Sequence, residues 1–566
     1  MPPWPKRRTM SIKIIVLGDS GVGKSSLIHL ICHSSVLASP QWTIGCSIDV
    51  KLYRDQYFLE FWDIGGSRNH KIARSFIYQH YHGIMLVYDA TNKKSRANLF
   101  EWLAEAYQVP TIGDLESSIS HQVPVVTVAT KIDMLPKAST YQPPDPILGD
   151  IVCVNSQDAC ALTIYPRIYD QLDKFFQKNK IVSERGYILE THTITTSDGY
   201  ILGLHRIVNP LVPFRKTIGS VIVQHGIMCA SVHFVFNSER NERPKIITAR
   251  RHSPVAEHQL SDSLAFSLSN WRYDVWLPNF RGNQYSRRHQ NATHESSAQY
   301  WNFSVDEHIY FDADAYVTYI KDVTNRQQIA FVGHSLGTTV GLGTLVADPA
   351  HRTHLLRPMI LMSPVASTKY MRGMMLPMFK LVACLYPDLS SFPGSLYKLH
   401  TLLQTTCVFW PKTCAWFAGT ICGRNDYDPR SVRIQQAQFL DIVIKQSTSV
   451  HVLNHIIQTR QTGLLRRYDH GDSELNMQHY GQNEPPEYRL DTIHDAHLAI
   501  ISGQSDLIST RDEVDWIKNK TGVTPIEDYV IPRNTFSHLD FIVSKETATL
   551  VNKKVIEILQ RYYAPL

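Results

Sequence analysis

Eight residues near the N-terminus constrain the fold more than any others: Gly18-Asp19-Ser20-Gly21-Val22-Gly23-Lys24-Ser25. The β-branched run at 12–17 leads straight into them, and an apolar helical pattern at 27–32 follows. Strand, glycine-rich turn and helix in that order form the context of a phosphate-binding loop. Glycine lets successive backbone N–H groups converge on phosphate oxygens, and the helix presents its positive end to the anion. Lys24 would reach the β- and γ-phosphates, and the Ser25 hydroxyl would ligate Mg²⁺. A strand feeding such a turn commits this part of the chain to an α/β architecture.

Further pieces follow in the order such a site needs. The run at 58–63 reads as a strand ending on Asp63, a carboxylate suited to holding Mg²⁺, and Gly65-Gly66 behind it lets the Gly66 amide approach a γ-phosphate. Residues 83–89 and 123–129 read as two more buried strands, the second delivering Thr130-Lys131-Ile132-Asp133, where Asp133 can accept two N–H bonds from a guanine base.

On these residues, with Trp42-Thr43-Ile44-Gly45-Cys46-Ser47, Trp62-Asp63-Ile64-Gly65-Gly66 and Asp89-Ala90-Thr91-Asn92-Lys93-Lys94-Ser95, the span 11–180 resembles a small Ras-superfamily GTPase, specifically the Rab-like protein 3 family. The resemblance implies GTP or GDP with Mg²⁺ as ligands. It makes Thr43 a Mg²⁺ ligand beside Ser25 and Asp63, has Lys131 and Asp133 contact guanine, and implies GTPase regulators or effectors as partners. Residues 153–155 are the match to the last base loop. Thr130 stands where most such GTPases have asparagine, Ser67 where the water-orienting glutamine is usual, and Gly65 for the usual alanine. Without that glutamine, GTP binding is expected with slow turnover.

From about residue 184 the pattern restarts. Residues 190–196, the turn Ser197-Asp198-Gly199 and residues 200–204 read as a hairpin. Strands at 221–224 and 273–277 follow, leading to His225-Gly226-Ile227 and Asn279-Phe280-Arg281-Gly282-Asn283. The sharpest feature is a strand at 329–332 running into Gly333-His334-Ser335-Leu336-Gly337 and a small-residue helix at 338–345. G-x-S-x-G between strand and helix exposes a serine hydroxyl on a tight turn. A serine needs an imidazole to take its proton and a carboxylate to orient that imidazole, in the chain order serine, acid, histidine. Asp506, beyond a strand at 497–503, and His538, in a polar turn, follow Ser335 in that order, with Asp512 and Asp495 as rival acids. The backbone N–H groups of Leu336 and Ile227 are the candidate oxyanion donors.

Residues 184–566 resemble the acid lipase family that includes gastric and lysosomal acid lipases. The motifs that carry the likeness run along the whole span, from Thr196-Ser197-Asp198-Gly199-Tyr200 and Gln224-His225-Gly226 through Asn279-Phe280-Arg281-Gly282-Asn283 and His334-Ser335-Leu336-Gly337 to Ser363-Pro364-Val365-Ala366 and His538-Leu539-Asp540-Phe541. The resemblance assigns nucleophile, acid and base to Ser335, Asp506 and His538, and implies a lipid ester substrate with no cofactor for this part. Leu336 replaces the family's usual glutamine, which a backbone donor tolerates. A methionine- and aromatic-rich insertion at about 367–480 suits a mainly helical cap over an acyl-binding cleft and a contact with a lipid interface; ordinary packing of a helical insertion reads equally well. Cys407, Cys414 and Cys422 fall where the family carries a cap disulfide, with the pairing open. The charged stretch 237–262 interrupts a region that is short in the family and reads either as a tolerated surface loop or as an artefact of how the gene was assembled.

Composition bounds the rest. Lys and Arg total 57 against 51 Asp and Glu, and a balance of +6 over 566 residues is too thin to argue for nucleic acid. No run reaches the roughly 18 apolar residues of a membrane helix. Nine cysteines are too few for a disulfide scaffold. The first residues lack a signal peptide's apolar core and the last four hold no cysteine to prenylate, so a cytoplasmic location is expected, although acid lipases are lysosomal or secreted. The expectation is a P-loop GTPase fold followed by an α/β-hydrolase fold: a GTP-binding module fused to a serine ester hydrolase cleaving acyl esters of neutral lipids. The alternatives are a GTP-regulated interaction protein with an inactive hydrolase scaffold, or two adjacent genes joined in one reading frame.

Overall fold

The computed structural model describes residues 10–33, 35–53, 57–67, 74, 77, 78, 81, 83–107, 125–135, 151–153, 182–183, 185–239, 241–248, 253–291, 299–385, 391–392 and 446–563. The chain divides into two compact units, Met1–Asn179 and Lys180–Leu566.

The first unit is built on a six-stranded sheet in the order β2-β3-β1-β4-β5-β6, formed by β1 (Met10–Leu17), β2 (Cys46–Tyr53), β3 (Tyr57–Ile64), β4 (Gly83–Asp89), β5 (Val125–Thr130) and β6 (Ile151–Cys153). β2 runs antiparallel to β3, and the other pairs are parallel. Ile14, Ile15, Val16 and Leu17 are all buried because a central parallel strand is covered on both faces. Successive side chains alternate between faces. Ile14 and Val16 therefore join Leu27 and Ile28 of the helix Lys24–His33, while Ile15 and Leu17 join Trp102 and Leu103 of the helix Leu99–Tyr107. β5 begins at Val125, and residues 123–124 lie outside the described residues, as do 154–155 of the last base loop.

In the second unit, β7 (Ile188–Thr195), β8 (Tyr200–Val208), β9 (Gly219–Gln224), β10 (Tyr273–Pro278), β11 (Arg288–His289), β12 (Ile329–His334) and β13 (Leu356–Met362) belong to a nine-stranded sheet. A separate two-residue ribbon pairs β14 (Ser391–Phe392) with β15 (Thr448–Ser449). β16 (Leu498–Ser502) and β17 (Glu527–Val530) complete the large sheet, in the order β11-β8-β10-β9-β12-β13-β16-β17 with β7 on β8. β7 and β8 form the expected antiparallel hairpin, and from β10 to β17 neighbouring strands are parallel. β9, β10 and β12 are buried at every residue. Their side chains divide between two apolar clusters, Ile222, Trp276 and Phe331 on one face and Val221, Val275 and Val332 on the other.

Two expectations need correction or restriction. The stretch 237–262 is not a surface loop where it is described: Asn237 donates to the Ser544 carbonyl at 2.8 Å, Glu242 is buried, and Ile247, Val255 and Leu260 enter the apolar cluster that contains Phe266 and Ile556. Its apolar residues are spaced widely among charges, which conceals them in a reading by composition. Much of the cap, including Cys407, Cys414 and Cys422, lies outside the described residues. The described helices Met375–Leu385 and Val450–Thr462 send Leu376, Phe379, Val452 and Leu453 into the same cluster as Trp276.

Arg281, 1% exposed, ties the loop after β10 to the β7–β8 turn. It donates from Nε to Asp312 Oδ1 at 2.7 Å and from both terminal nitrogens to Asp198 at 2.6 and 3.0 Å, with its guanidinium 3.9 Å from the Tyr200 ring centre. Burial pushes the Asp312 carboxyl up, but Arg281 and His308 more than offset this and hold it below the usual range. Arg281→Met would leave Asp312 buried without its cation, which should cost about 3–5 kcal/mol in chemical denaturation at neutral pH. A depressed carboxyl contributes stability above its unfolded value and loses it as pH falls through the folded value. The deficit of the variant should therefore shrink as pH is lowered, because burial without Arg281 favours the protonated Asp312 carboxyl.

Candidate functional site

The nucleotide-type cleft is assembled at the carboxyl ends of β1, β3 and β5, where open parallel sheets receive their ligands. A cavity of about 370 Å³ there is lined by Ser20, Gly21, Gly23, Lys24, Ser25, Trp42, Thr43, Gly66, Lys131 and Asp133. Lys24 is buried and donates to the Gly18 and Asp19 carbonyls, both at 2.9 Å, so its ammonium lies within the loop; burial pushes its pKa down. The Asp19 carboxylate is occupied elsewhere, accepting from Asn98 Nδ2 at 2.6 Å and Trp102 Nε1 at 2.9 Å.

Ser25, Thr43 and Asp63 converge. Ser25 Oγ lies 2.5 Å and Thr43 Oγ1 3.0 Å from Asp63 Oδ2, and the two hydroxyls are 3.0 Å apart. Asp63 Oδ1 is buried without a hydrogen-bond partner, and burial pushes the carboxyl up. Two hydroxyls and a carboxylate with one oxygen still open are hard oxygen donors of the kind Mg²⁺ takes, so the donor set fits that cation.

Lys131 donates to Asp89 Oδ2 at 2.7 Å and to the Gly21 carbonyl at 3.0 Å, and Asp133 borders the same cleft. The Thr130 hydroxyl donates toward the Val22 carbonyl at 2.6 Å and the Tyr88 carbonyl at 2.9 Å, joining the phosphate-type loop to β4. That clamp role was not evident from the sequence, where Thr130 reads only as a departure from asparagine. Behind the cleft, Arg74 donates to the Ser67 carbonyl and to both Glu105 oxygens.

The second site lies at the carboxyl ends of β9, β12, β13, β16 and the segment after β17. Ser335 has φ +56° and ψ −125°, a conformation rare for a non-glycine residue, as a serine on a sharp strand-to-helix turn requires. Its Oγ is 2.8 Å from His538 Nε2, and His538 Nδ1 is 3.0 and 3.1 Å from the two Asp506 oxygens. Asp506 also accepts from the Ile508 and Ser509 N–H groups at 2.9 and 2.8 Å. Burial pushes the Asp506 carboxyl up, yet His538, Ser363 and Ser509 together hold it below the usual range. The rival acids lie apart from His538: Asp512 pairs with Arg372, and Asp495 lies beside His494.

Two neighbouring histidines pack on this array; the sequence motifs contain both but assign neither a role. His334, pushed down to about 3 by burial, donates from Nε2 to the His538 carbonyl at 3.1 Å. His225, also pushed down to about 3 by burial, donates from Nδ1 to the Gly226 carbonyl at 2.8 Å and accepts the Phe280 N–H at 3.3 Å. Ile227, Ser335 and Leu336 line one narrow apolar cavity of about 30 Å³, which Met371, Met375 and Phe379 also line.

Comparison with known proteins agrees with this division. Residues 13–133 match the family described as Ras of Complex, Roc, domain of DAPkinase. Residues 179–238 match a partial α/β-hydrolase lipase region, and residues 249–445 match the α/β-hydrolase fold. The chain joins a Ras-like GTPase domain to a lipase-type α/β-hydrolase domain. Human lipase member K is 28% identical over 398 residues, covering 68% of this chain and 90% of the relative. Rat lysosomal acid lipase/cholesteryl ester hydrolase is 28% identical over 396 residues, covering 68% and 91%, and bovine gastric triacylglycerol lipase 26% over 434 residues, covering 72% and 97%. The hydrolase-fold match ends before Asp506 and His538, so their meeting with Ser335 rests on geometry. Among the described residues, no helix is long and apolar enough to cross a membrane.

Gly226 gives a test of how tightly the site is built. A Cβ there would lie 2.8 Å from Ser335 Cβ and 3.3 Å from its Oγ. Gly226→Ala should slow fluorophosphonate labelling of Ser335 by about a hundredfold, because small displacements of a reacting group carry rate costs of that order. Intact-protein mass spectrometry over time measures it.

Proposed function

We propose that the second domain is a serine ester hydrolase acting on acyl esters of neutral lipids, with its core over 184–566 and a cap at about 367–480. The observation that carries this reading is the hydrogen-bonded series Ser335–His538–Asp506 opening on an apolar cavity. In this mechanism His538 Nε2 takes the Ser335 proton as Oγ attacks the ester carbonyl carbon. The Ile227 and Leu336 N–H groups receive the developing oxyanion. His538 then returns the proton to the leaving alcohol, and an acyl-enzyme on Ser335 remains. Water, deprotonated by the same imidazole, releases the fatty acid and restores the serine. Asp506, kept ionised within the fold, stabilises the imidazolium formed in each step. The named activities of the relatives, triacylglycerol and cholesteryl ester hydrolysis, support the substrate class. A cavity of about 30 Å³ holds roughly one water, so an acyl chain enters only as the cap side chains give way. Unbranched Met371 and Met375 are suited to that repacking.

The first domain, over 11–180, is proposed to bind GTP or GDP. The loop Gly18–Ser25 cradles the phosphates, with Asp19 and Val22 holding its shape through Trp102 and Thr130, and Gly66 approaches the terminal phosphate. Lys131 and Asp133 receive the base. Mg²⁺ held by Ser25, Thr43 and Asp63 would supply neutralisation of phosphate charge. Exposed Trp42 and Ile44, beside Thr43, are the surface that regulators or effectors would read.

Purified full-length protein should label with a fluorophosphonate probe at Ser335 and hydrolyse a p-nitrophenyl acyl ester, and Ser335→Ala should lower kcat by roughly 10⁴-fold or more. Folded protein that neither labels nor hydrolyses ester would favour the reading as an inactive interaction scaffold. In the other domain, a fluorescent GDP analogue should bind in Mg²⁺ and be lost in Lys24→Ala. GTP turnover should be on the order of 10⁻⁴ s⁻¹ or slower, for want of a glutamine at Ser67.

A further inference from the structure

Ser363 is the first residue after β13 and fully buried; beyond its pull on the Asp506 carboxyl it has no part in the reaction proposed above. Its hydroxyl contacts two members of the candidate triad at once. Oγ donates to Asp506 Oδ2, and the same oxygen lies 2.6 Å from His538 Nδ1. The carboxylate is a pure acceptor, so the hydroxyl proton is directed at Asp506, which leaves an oxygen lone pair facing the Nδ1–H of the imidazole. A buried hydroxyl is costly unless its hydrogen bonds are made. This one spends its donor on the acid and offers its acceptor to the base.

The backbone holds Ser363 in place. It has φ +51°, uncommon for a non-glycine residue, and its N–H donates to the Ile501 carbonyl at 2.8 Å, fastening β13 to β16 just where the acid emerges. The following turn is closed by the fully buried Glu513 carboxylate, which accepts the Ala366 and Ser367 N–H groups at 2.9 and 2.6 Å and the Ser367 hydroxyl at 2.7 Å. Ser363 is thus set by two independent anchors, one on each side of its own hydroxyl.

We propose that Ser363 is a positioning residue for the ester-hydrolase reaction, its hydroxyl bridging Asp506 and His538 so that the imidazole keeps its Nδ1–H toward the acid and its Nε2 toward Ser335. This inference rests on the hydrolase reading of the site. The Ser363 oxygen beside Nδ1–H favours the imidazolium that forms when Ser335 gives up its proton, so the hydroxyl contributes to the transition state more than to substrate binding. The other ionisable groups around His538 are Asp506 from the loop after β16, His334 from β12 and Asp540 two residues on; Asp540 is engaged by the Ser537 N–H and hydroxyl. Only Ser363 adds an uncharged oxygen at Nδ1 among the contacts described.

The test compares Ser363→Ala and Ser363→Gly with wild type in the full-length protein, using p-nitrophenyl ester hydrolysis across pH. Glycine accepts a positive φ without strain, so it keeps the test open if the alanine variant folds poorly. Both variants should lose kcat by roughly tenfold to a hundredfold, the worth of one hydrogen bond to a charged group, with KM within about twofold. The acid limb of kcat/KM should move to lower pH in both, because the imidazolium has lost an acceptor at Nδ1. Wild-type kcat in either folded variant would overturn the proposal. A fall in kcat with the acid limb unmoved would also overturn it, leaving Ser363 a purely structural residue. If wild type labels with fluorophosphonate while the variants behave as wild type, only this inference fails. An unreactive, folded wild type removes the hydrolase reading and this inference together.

Discussion

The hydrolase-type domain is built around a guanidinium that is 1% exposed. Arg281 has to meet two carboxylates, Asp312 and Asp198, because a buried cation without partners costs several kcal/mol. Meeting them pulls the β7–β8 turn and the π-helical segment His308–Ala313 onto the loop after β10. That loop in turn presents the Phe280 N–H and Asn283 Nδ2 to His225, whose opposite nitrogen holds the Gly226 carbonyl beside Ser335. A structural ion pair is therefore connected, through one neutral histidine, to the turn that packs against Ser335. His225 suits this work because its burial keeps it uncharged, so its donor and its acceptor remain fixed on opposite sides of the ring.

The GTPase-like domain reaches a similar end by different means. Its loop is a run of backbone that must stay open to an anion, so side chains around it provide the restraint. Asp19 is tied to Asn98 and Trp102, Val22 to Thr130, and Gly21 to Lys131. Asp63 has one oxygen without a partner among the described residues, and burial raises its carboxyl against the pull of Ser25, Lys24 and Thr43. The hydrolase carboxylate differs in this respect. Asp506 has an imidazole, a hydroxyl and two backbone N–H groups around it, and its charge is satisfied within the fold.

Much of the candidate chemistry was legible because it depends on local sequence. Gly18–Ser25 and Gly333–Gly337 each announce themselves by a strand before and a helix after, and the order serine, acid, histidine selected Asp506 and His538 from many acids and histidines. What escaped was contact across the sheet. Ser363 reads as one serine in a short run of small residues, and its contacts come from lying at the end of the strand between β12 and β16. Thr130 reads as a missing asparagine, and its hydroxyl turns out to bond the carbonyls of residues 42 and 108 positions away. The stretch 237–262 misled because its charges are frequent and its buried residues sparse, so only their arrival against the helix Lys553–Tyr563 reveals them as core.

The sequence by itself determined that the chain holds two α/β units, a phosphate-type loop in one and a nucleophile-type turn in the other. Each of these needs only a few consecutive residues with the right backbone freedom. Tertiary structure decided which distant groups complete them: three hydroxyl and carboxyl oxygens from separate elements at one cleft, and Asp506, His538, Ser363, His334 and His225 from four separate loops and a strand around Ser335. The physical reason lies in the parallel sheet. It aligns the carboxyl ends of strands far apart in sequence, and contacts made there depend on strand order and register, which local patterns do not encode.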